Sequence, residues 1–365
     1  SEGARRRTEV IDHREGQDGV ASSTTVDRSQ MDDAASDLPE VLDRQPGVVV
    51  SRTGGLGSFA SVSIRGSTPE QVLLLLDDIP LVSAEGSPID LSMLPLGVMG
   101  RIVVTRGSSP AAFGVSAIGG VIQAKTRTVS GPLLEVEGST GSYMTRGVRL
   151  IGGYGDESGD LSVLAAVSYL GSEGAFPYRS DGGTAFDATD DRTISRENNH
   201  FDRLAGLLNV QVQASPGVTL TLTDLVTSRR RGLPWVGLYQ TRETQLDSLQ
   251  NVLGASLRVD LPGARGRRLV LAPWLSLSET RIADPLNEFA GRLDASEDHS
   301  LMHGYRLSLR YPVAVQTLPG LSLTPLTTAV YRHERFVGRD QRGDSLTRTV
   351  RERHRFAAVG ELTLD

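Results

Sequence analysis

A chain of 365 residues is long for one domain, so two structural units are the starting expectation. Its net charge of −6 and its dispersed basic residues, all arginine except Lys125, offer no concentrated basic face for nucleic acid. Cysteine is absent, which removes disulfides and thiolate metal sites, and the longest aliphatic run, Val72–Leu76, is far too short for a membrane-spanning helix.

Strands that cross a membrane hide their apolar residues at every second position, so a polar average leaves a membrane barrel open. Ser1 begins an Arg-rich polar stretch without a leader pattern, which implies that an exported form has already lost its leader. Residues 1–35 are polar and read as a mobile arm, interrupted by the β-like Thr8-Glu9-Val10-Ile11-Asp12. From Ser36 the texture changes. Leu38, Val41 and Leu42 fall at helical spacing behind the capping candidates Ser36 and Asp37, with Pro39 in the first turn. The spacing predicts a short helix ending near Pro46-Gly47.

Val48-Val49-Val50, a glycine-rich turn at 54–57, alternation through Val62-Ser63-Ile64-Arg65 and the strand Val72–Leu76 follow. Continuous apolarity predicts that this last strand is buried on both faces, with Asp77-Asp78 opening its turn. A strand over 101–105 leads through Arg106-Gly107 to small residues at 117–121, and 36–127 reads as an α+β domain.

Beyond Gly131 the period is two. Leu253, Ala255, Leu257, Val259 and Leu261 alternate with polar residues or glycine, and the same rule holds over 218–223 and 305–311. Short turns at 154–160, 215–217, 262–266 and 318–320 alternate with long polar loops at 172–199, 229–247, 284–298 and 338–345. Connections sorted this way are those of an antiparallel transmembrane β-barrel, here with about ten strands. A soluble β-sandwich also alternates, but its connections need not sort by length.

Residues 36–127 resemble the plug domain of TonB-dependent outer-membrane receptors. The resemblance is carried by Leu38-Pro39-Glu40-Val41-Leu42 before Gln45-Pro46-Gly47-Val48, by Gly54-Gly55-Leu56-Gly57 before Val62-Ser63-Ile64-Arg65-Gly66, and by residues 72–80. It continues through 101–107, Ala111-Ala112-Phe113-Gly114 and 117–122. Ser108, Phe113 and Gln123-Ala124-Lys125 depart from the family pattern without disturbing the fold it implies. The short plug is most similar to cobalamin-type receptors. Family barrels have about 22 strands, so residues 128–365 are expected to be a partial barrel, and the chain a fragment of a longer one rather than half of a split barrel.

The resemblance implies active import of a scarce nutrient, such as a metal chelate, siderophore or cobalamin-like compound, in the outer membrane of a Gram-negative bacterium. No covalent chemistry and no cofactor are implied. Thr8, Glu9, Val10, Ile11 and Asp12 are similar to the coupling segment gripped by a TonB-type partner, which adds as a strand to that partner's sheet. Arg65 and Arg106 match arginines that the family points at barrel glutamates. Arg52, Gly54, Gly55, Gly57 and Ser58, with Ser83 and Glu85, are the expected ligand-facing plug loops, where glycine also satisfies turn geometry.

Asp187, Asp190 and Asp191 are a calcium candidate, set against a solvated acidic loop. Gly55-Leu56-Gly57 lacks the following helix of a dinucleotide site, Arg342-Gly343-Asp344 is a chance-level tripeptide, and the six histidines show no ligand spacing. The rival reading is a non-pumping surface interaction barrel.

Overall fold

The computed structural model describes residues 22–32, 37–54, 56–82, 88–107, 118–184, 186–234, 240–262, 266–288, 295–314, 322–342 and 345–364. In the amino-terminal unit, β1 (Ser22–Asp27), α1 (Arg28–Asp32), α2 (Leu38–Asp43), β2 (Val48–Arg52) and β3 (Ala60–Ile64) come first. β4 (Val72–Leu76), β5 (Ile79–Leu81), β6 (Met99–Arg106) and β7 (Gly120–Thr126) complete it. Five strands form a sheet in the order β1-β6-β7-β4-β5, in which β4 and β7 are parallel, while β2 and β3 pair with each other.

Local chemistry explains these elements. The Asp37 carboxylate caps α2 by accepting from the Glu40 N–H at 3.0 Å, Pro39 sits in the first turn, and Leu38, Val41 and Leu42 are buried. β4 buries Val72, Leu74, Leu75 and Leu76, so both of its faces meet protein. Leu76 pairs with Ile79 across a two-residue turn in which Asp77 (φ 49°) and Asp78 (φ 71°) are both left-handed. That is a type I′ hairpin turn, which matches the twist of its strands. Part of the arm expected over 1–35 is folded onto the unit: Ser22–Asp27 is an edge strand paired antiparallel with β6, and Asp27 meets Arg101 at 2.9 Å.

Among the described residues beyond β7, the long strands form one large antiparallel sheet. Its strands are β8 (Gly131–Gly141), β9 (Thr145–Gly155) and β10 (Leu161–Ser172), then, past the small hairpin β11 (Pro177–Ser180) and β12 (Arg192–Ser195), β13 (Phe201–Ser215) and β14 (Val218–Gly232). β15 (Gln245–Asp260), β16 (Arg268–Ala283), β17 (Ala295–Arg310), the two-residue β18 (Val313–Ala314), β19 (Ser322–Arg342) and β20 (Ser345–Leu364) follow. Ten long strands pair in sequence order from β8 to β20. Among the described residues no ladder joins β8 to β20, so the sheet is a partial, unclosed barrel.

Strand polarity separates two faces. Ile151, Leu164, Ala166, Leu207, Leu225, Val252, Trp274 and Met302 point inward and share one apolar core with the amino-terminal unit. Leu134, Val136, Val148, Leu150, Val167, Leu204, Leu208, Leu220, Leu222, Leu253, Leu307 and Leu309 are exposed on the opposite face. This apolar outer band is the surface a lipid bilayer covers. Asp224 interrupts it, and its carboxylate accepts a 2.6 Å hydrogen bond from Asn251 on the neighbouring strand.

The loop expected at 338–345 is a correction. β19 runs to Arg342 and β20 resumes at Ser345 in continuous register, because the polar residues there alternate and pair across the strands. These two strands have 21 and 20 residues, well beyond the roughly 9–11 that span a bilayer. They therefore project past the apolar band on the rim of the long connections.

Candidate functional site at the plug and barrel contact

Two polar anchors fasten the amino-terminal unit to the inner face of the sheet. The first is the Asp77-Asp78 turn. Asp77 accepts from the Thr126 N–H at 2.8 Å and the Thr126 hydroxyl at 2.9 Å on its own unit. From the sheet it accepts Asn209 Nδ2 at 3.1 Å and the Thr223 hydroxyl at 3.0 Å, and Asn209 also donates to Thr223 Oγ1 at 2.9 Å. Asp78 pairs with Lys125 at 2.8 Å and faces Arg258 at 3.8 Å and Arg306 at 3.9 Å.

The two neighbouring carboxylates titrate in opposite directions. Burial raises the Asp77 pKa, and Lys125 with the Thr126 and Thr223 hydrogen bonds only partly offsets it. Burial also opposes charge on Asp78, but Lys125, Arg306 and Arg258 together outweigh it and hold the group well below the ordinary carboxylate range. Desolvation disfavours charge on the half-buried Lys125, yet Asp78 and Asp77 raise its pKa overall. Charges this deep persist because each is paired.

The second anchor is the segment around Asp90. Arg229 donates to Asp90 Oδ2 at 2.5 Å and to the Ser92 hydroxyl at 2.9 Å, Arg203 donates to the Ser92 carbonyl, and Thr227 donates to the Met93 carbonyl at 3.1 Å. Asp90 Oδ1 is saturated by the Ser92 N–H, the Ser92 hydroxyl and the Ala60 N–H, so one carboxylate ties β3, its own segment and β14 together. Close approach completes the fit. A Cβ at Gly254 would strike Ile79 of β5, and one at Gly57 (φ +77°) would lie 2.5 Å from the Phe201 ring.

Sequence-selected residues are distributed unevenly over this geometry. Thr8, Glu9, Val10, Ile11 and Asp12, together with Gly55, Ser83 and Glu85, lie outside the described residues. Arg52 forms a bidentate pair with the α2 cap, at 2.9 and 2.8 Å to the Asp37 carboxylate. Gly54 is exposed and Ser58 half-buried beside it, while Gly57 is buried under Phe201 at the long-connection end of β13. Arg106 is buried and donates within its own unit, from Nε to the Pro46 carbonyl and from Nη1 to the Thr24 hydroxyl, both at 2.7 Å. Burial and then the charge of nearby Arg65 lower its pKa, and Arg106 Nη2 has no hydrogen-bond partner among the described residues.

Asp187, Asp190 and Asp191 do not converge on one point. Asp187 is engaged by Thr189, Asp190 by Thr184 at 2.8 Å and Asp191 by Arg179 at 2.5 Å. Asn209, Thr223, Arg203, Arg229 and the anchoring role of Asp77, Asp78 and Asp90 are missing from the sequence reading. The one visible signal was the lone Lys125 in a stretch where the family pattern is aliphatic.

Comparison with known proteins agrees with this architecture. Residues 15–121 match the family model described as the TonB-dependent Receptor Plug Domain. The vitamin B12 transporter BtuB of Vibrio vulnificus is 37% identical over 129 residues, which are 35% of this chain and 20% of that protein. A vitamin B12 transporter BtuB of Vibrio cholerae is 40% identical over 96 residues, 26% of this chain and 16% of that one.

Two solved structures share the fold at low identity. The pyoverdine receptor FpvA of Pseudomonas aeruginosa superposes with a TM-score of 0.68 at 13% identity over 94% of this chain and 54% of its own. The copper transporter OprC gives 0.67 at 16% identity over 93% and 52%. The match thus spans a fifth of the first B12 transporter's length and about half of each solved receptor.

Proposed function

This chain belongs to the TonB-dependent receptors, and on that premise we propose that it imports a scarce nutrient across the outer membrane, energised by a TonB-type partner. The observation that carries the reading is the folded plug seated on the inner face of a sheet whose outer face is apolar. In this reading the chain lies in the outer membrane of a Gram-negative bacterium, with bilayer lipid on the outer band and the rim of short turns in the periplasm. Thr8–Asp12 hands force to the plug by pairing as a strand with the partner. Force then has to break the Asp77-Asp78 and Asp90 anchors before the plug can move.

Arg65 and Arg106 stand together on the plug, and in this proposal they face barrel carboxylates that balance them. The turn holding Arg52, Gly54, Gly55, Gly57 and Ser58, with Ser83 and Glu85, contacts the ligand. The matched B12 transporters make a cobalamin the first ligand to test, with ferric siderophores as the second class.

Uptake and surface binding of labelled cobalamin and siderophores, measured in cells with and without residues 8–12, test the proposal. The proposal expects uptake to vanish on deletion while surface binding persists. Uptake that survives the deletion contradicts it, and binding without any uptake in the undeleted chain favours a surface interaction barrel.

A further inference from the structure

The histidines that show no ligand spacing along the sequence are partly brought together by strand register. His303, His333 and His354 are direct partners across β17, β19 and β20. They lie on the outer face, one step beyond the row Tyr305, Tyr331 and Phe356, towards the rim of long connections. Ring centroids are 4.9 Å apart for His303 and His333 and 4.6 Å for His333 and His354. Glu352, two residues before His354 on the same face of β20, places Oε1 2.8 Å from His333 Nε2 and 3.8 Å from His354 Nε2. One ligand atom each from His333, Glu352 and His354 lies within 4.8 Å of the other two.

Both remaining ring nitrogens already have partners. His333 Nδ1 meets His303 Nε2 at 3.1 Å, and His354 Nδ1 meets the Tyr331 hydroxyl at 3.1 Å. Such contacts fix tautomer and ring orientation, which is what outer partners of metal-bound histidines do. Zinc bonds of about 2.0–2.2 Å at tetrahedral angles put ligand atoms roughly 3.3 Å apart, between the two separations observed here. Two imidazoles and one carboxylate suit a borderline divalent ion and leave its fourth position open.

We propose that His333, His354 and Glu352 form a divalent transition-metal site on the outer face of β19 and β20, with Tyr331 and His303 as positioning residues. The site sits at the polar edge of the apolar band and is separate from the plug anchors. Glu352 and His354 are well exposed, so an ion can reach it from outside the barrel. Arg335, opposite Glu352 in register, is the nearby cation that competes for the carboxylate. A second group on the same face, Glu279, Glu297 and His299, has one histidine and looser separations of 3.8 and 3.6 Å, so it is the internal control.

The test titrates the full detergent-solubilised chain with Zn2+ near neutral pH by calorimetry and substitutes Co2+ for absorption spectroscopy. It needs no transport activity. One Zn2+ per chain and an intense tetrahedral Co2+ band are expected. His354→Gln and Glu352→Gln should each weaken binding at least tenfold and Tyr331→Phe about tenfold, whereas His299→Gln should leave it unchanged. Absence of Zn2+ binding, an octahedral Co2+ spectrum, or equal loss in His299→Gln overturns the assignment. If a variant loses its strand signature by circular dichroism, the Co2+ spectrum of the unsubstituted chain decides.

Discussion

β4 of the plug turns Val72, Leu74, Leu75 and Leu76 towards protein on both faces, whereas β14 of the barrel turns Leu220 and Leu222 outward, away from the plug. Continuous apolarity in one strand and alternation in the other reflect two surroundings, a protein core and a lipid band. Polar residues divide in the same way. In the plug they are charged and sit at turns, as Asp77, Asp78 and Asp90 do, while their sheet partners Asn209, Thr223 and Arg229 occupy the inward places of alternating strands. The plug is thus held by a few paired charges over a shared apolar core, and the sheet by its ladders and its outer surface.

The comparison breaks most sharply at Lys125. Lys125→Met leaves the half-buried Asp78 with only the more distant Arg258 and Arg306 and should destabilise the seated plug by up to about 3–5 kcal/mol. Limited proteolysis should then cut the plug while the barrel strands keep their circular dichroism.

A neighbouring pair on β14 sharpens the contrast. Leu222→Arg, in the outer band, should cost about 2–4 kcal/mol of insertion stability, measured by unfolding from vesicles. Thr223→Val, one residue along and facing Asp77, should leave insertion intact and loosen the plug by about 1–3 kcal/mol. Gly254→Ala tests close approach rather than charge: the added methyl meets Ile79 and should cost about 1–3 kcal/mol, again read as plug release.

Acid should give the smallest effect, because the two turn carboxylates oppose each other. Asp78 is held below its unfolded value, so its stabilisation is complete above roughly pH 4 and shrinks as pH falls from there towards its folded value. Asp77 is raised, binds its proton more tightly when folded, and gains stability as pH falls through its raised value to roughly pH 4, where the Asp78 loss begins. Asp78→Asn should flatten the loss of plug protection below roughly pH 4 and Asp77→Asn should remove the gain above it, as seen by proteolysis across pH.

The sequence carried the elements whose signals are local. Asp37 and Pro39 announce α2, the run from Val72 to Leu76 announces a buried strand, and period-two alternation announces the sheet. Signals that depend on distant partners were silent. β1 is nearly all polar and becomes a strand only because β6, some 80 residues on, offers it an edge. Asp77 and Asp78 read as a turn because their sheet partners lie more than 100 residues away. His333 and His354 meet through register, which spacing along the chain does not reveal.

The most direct test of the two-sided sheet uses the absence of cysteine, since single-cysteine probes then have no background. Fluorophores placed one at a time at residues 306–309 of β17 in vesicles should be quenched by a lipid-phase quencher at Leu307 and Leu309 and spared at Arg306 and Ser308. Equal exposure of all four positions to a water-phase quencher, with none from lipid, would contradict a plug enclosed by a membrane-spanning sheet.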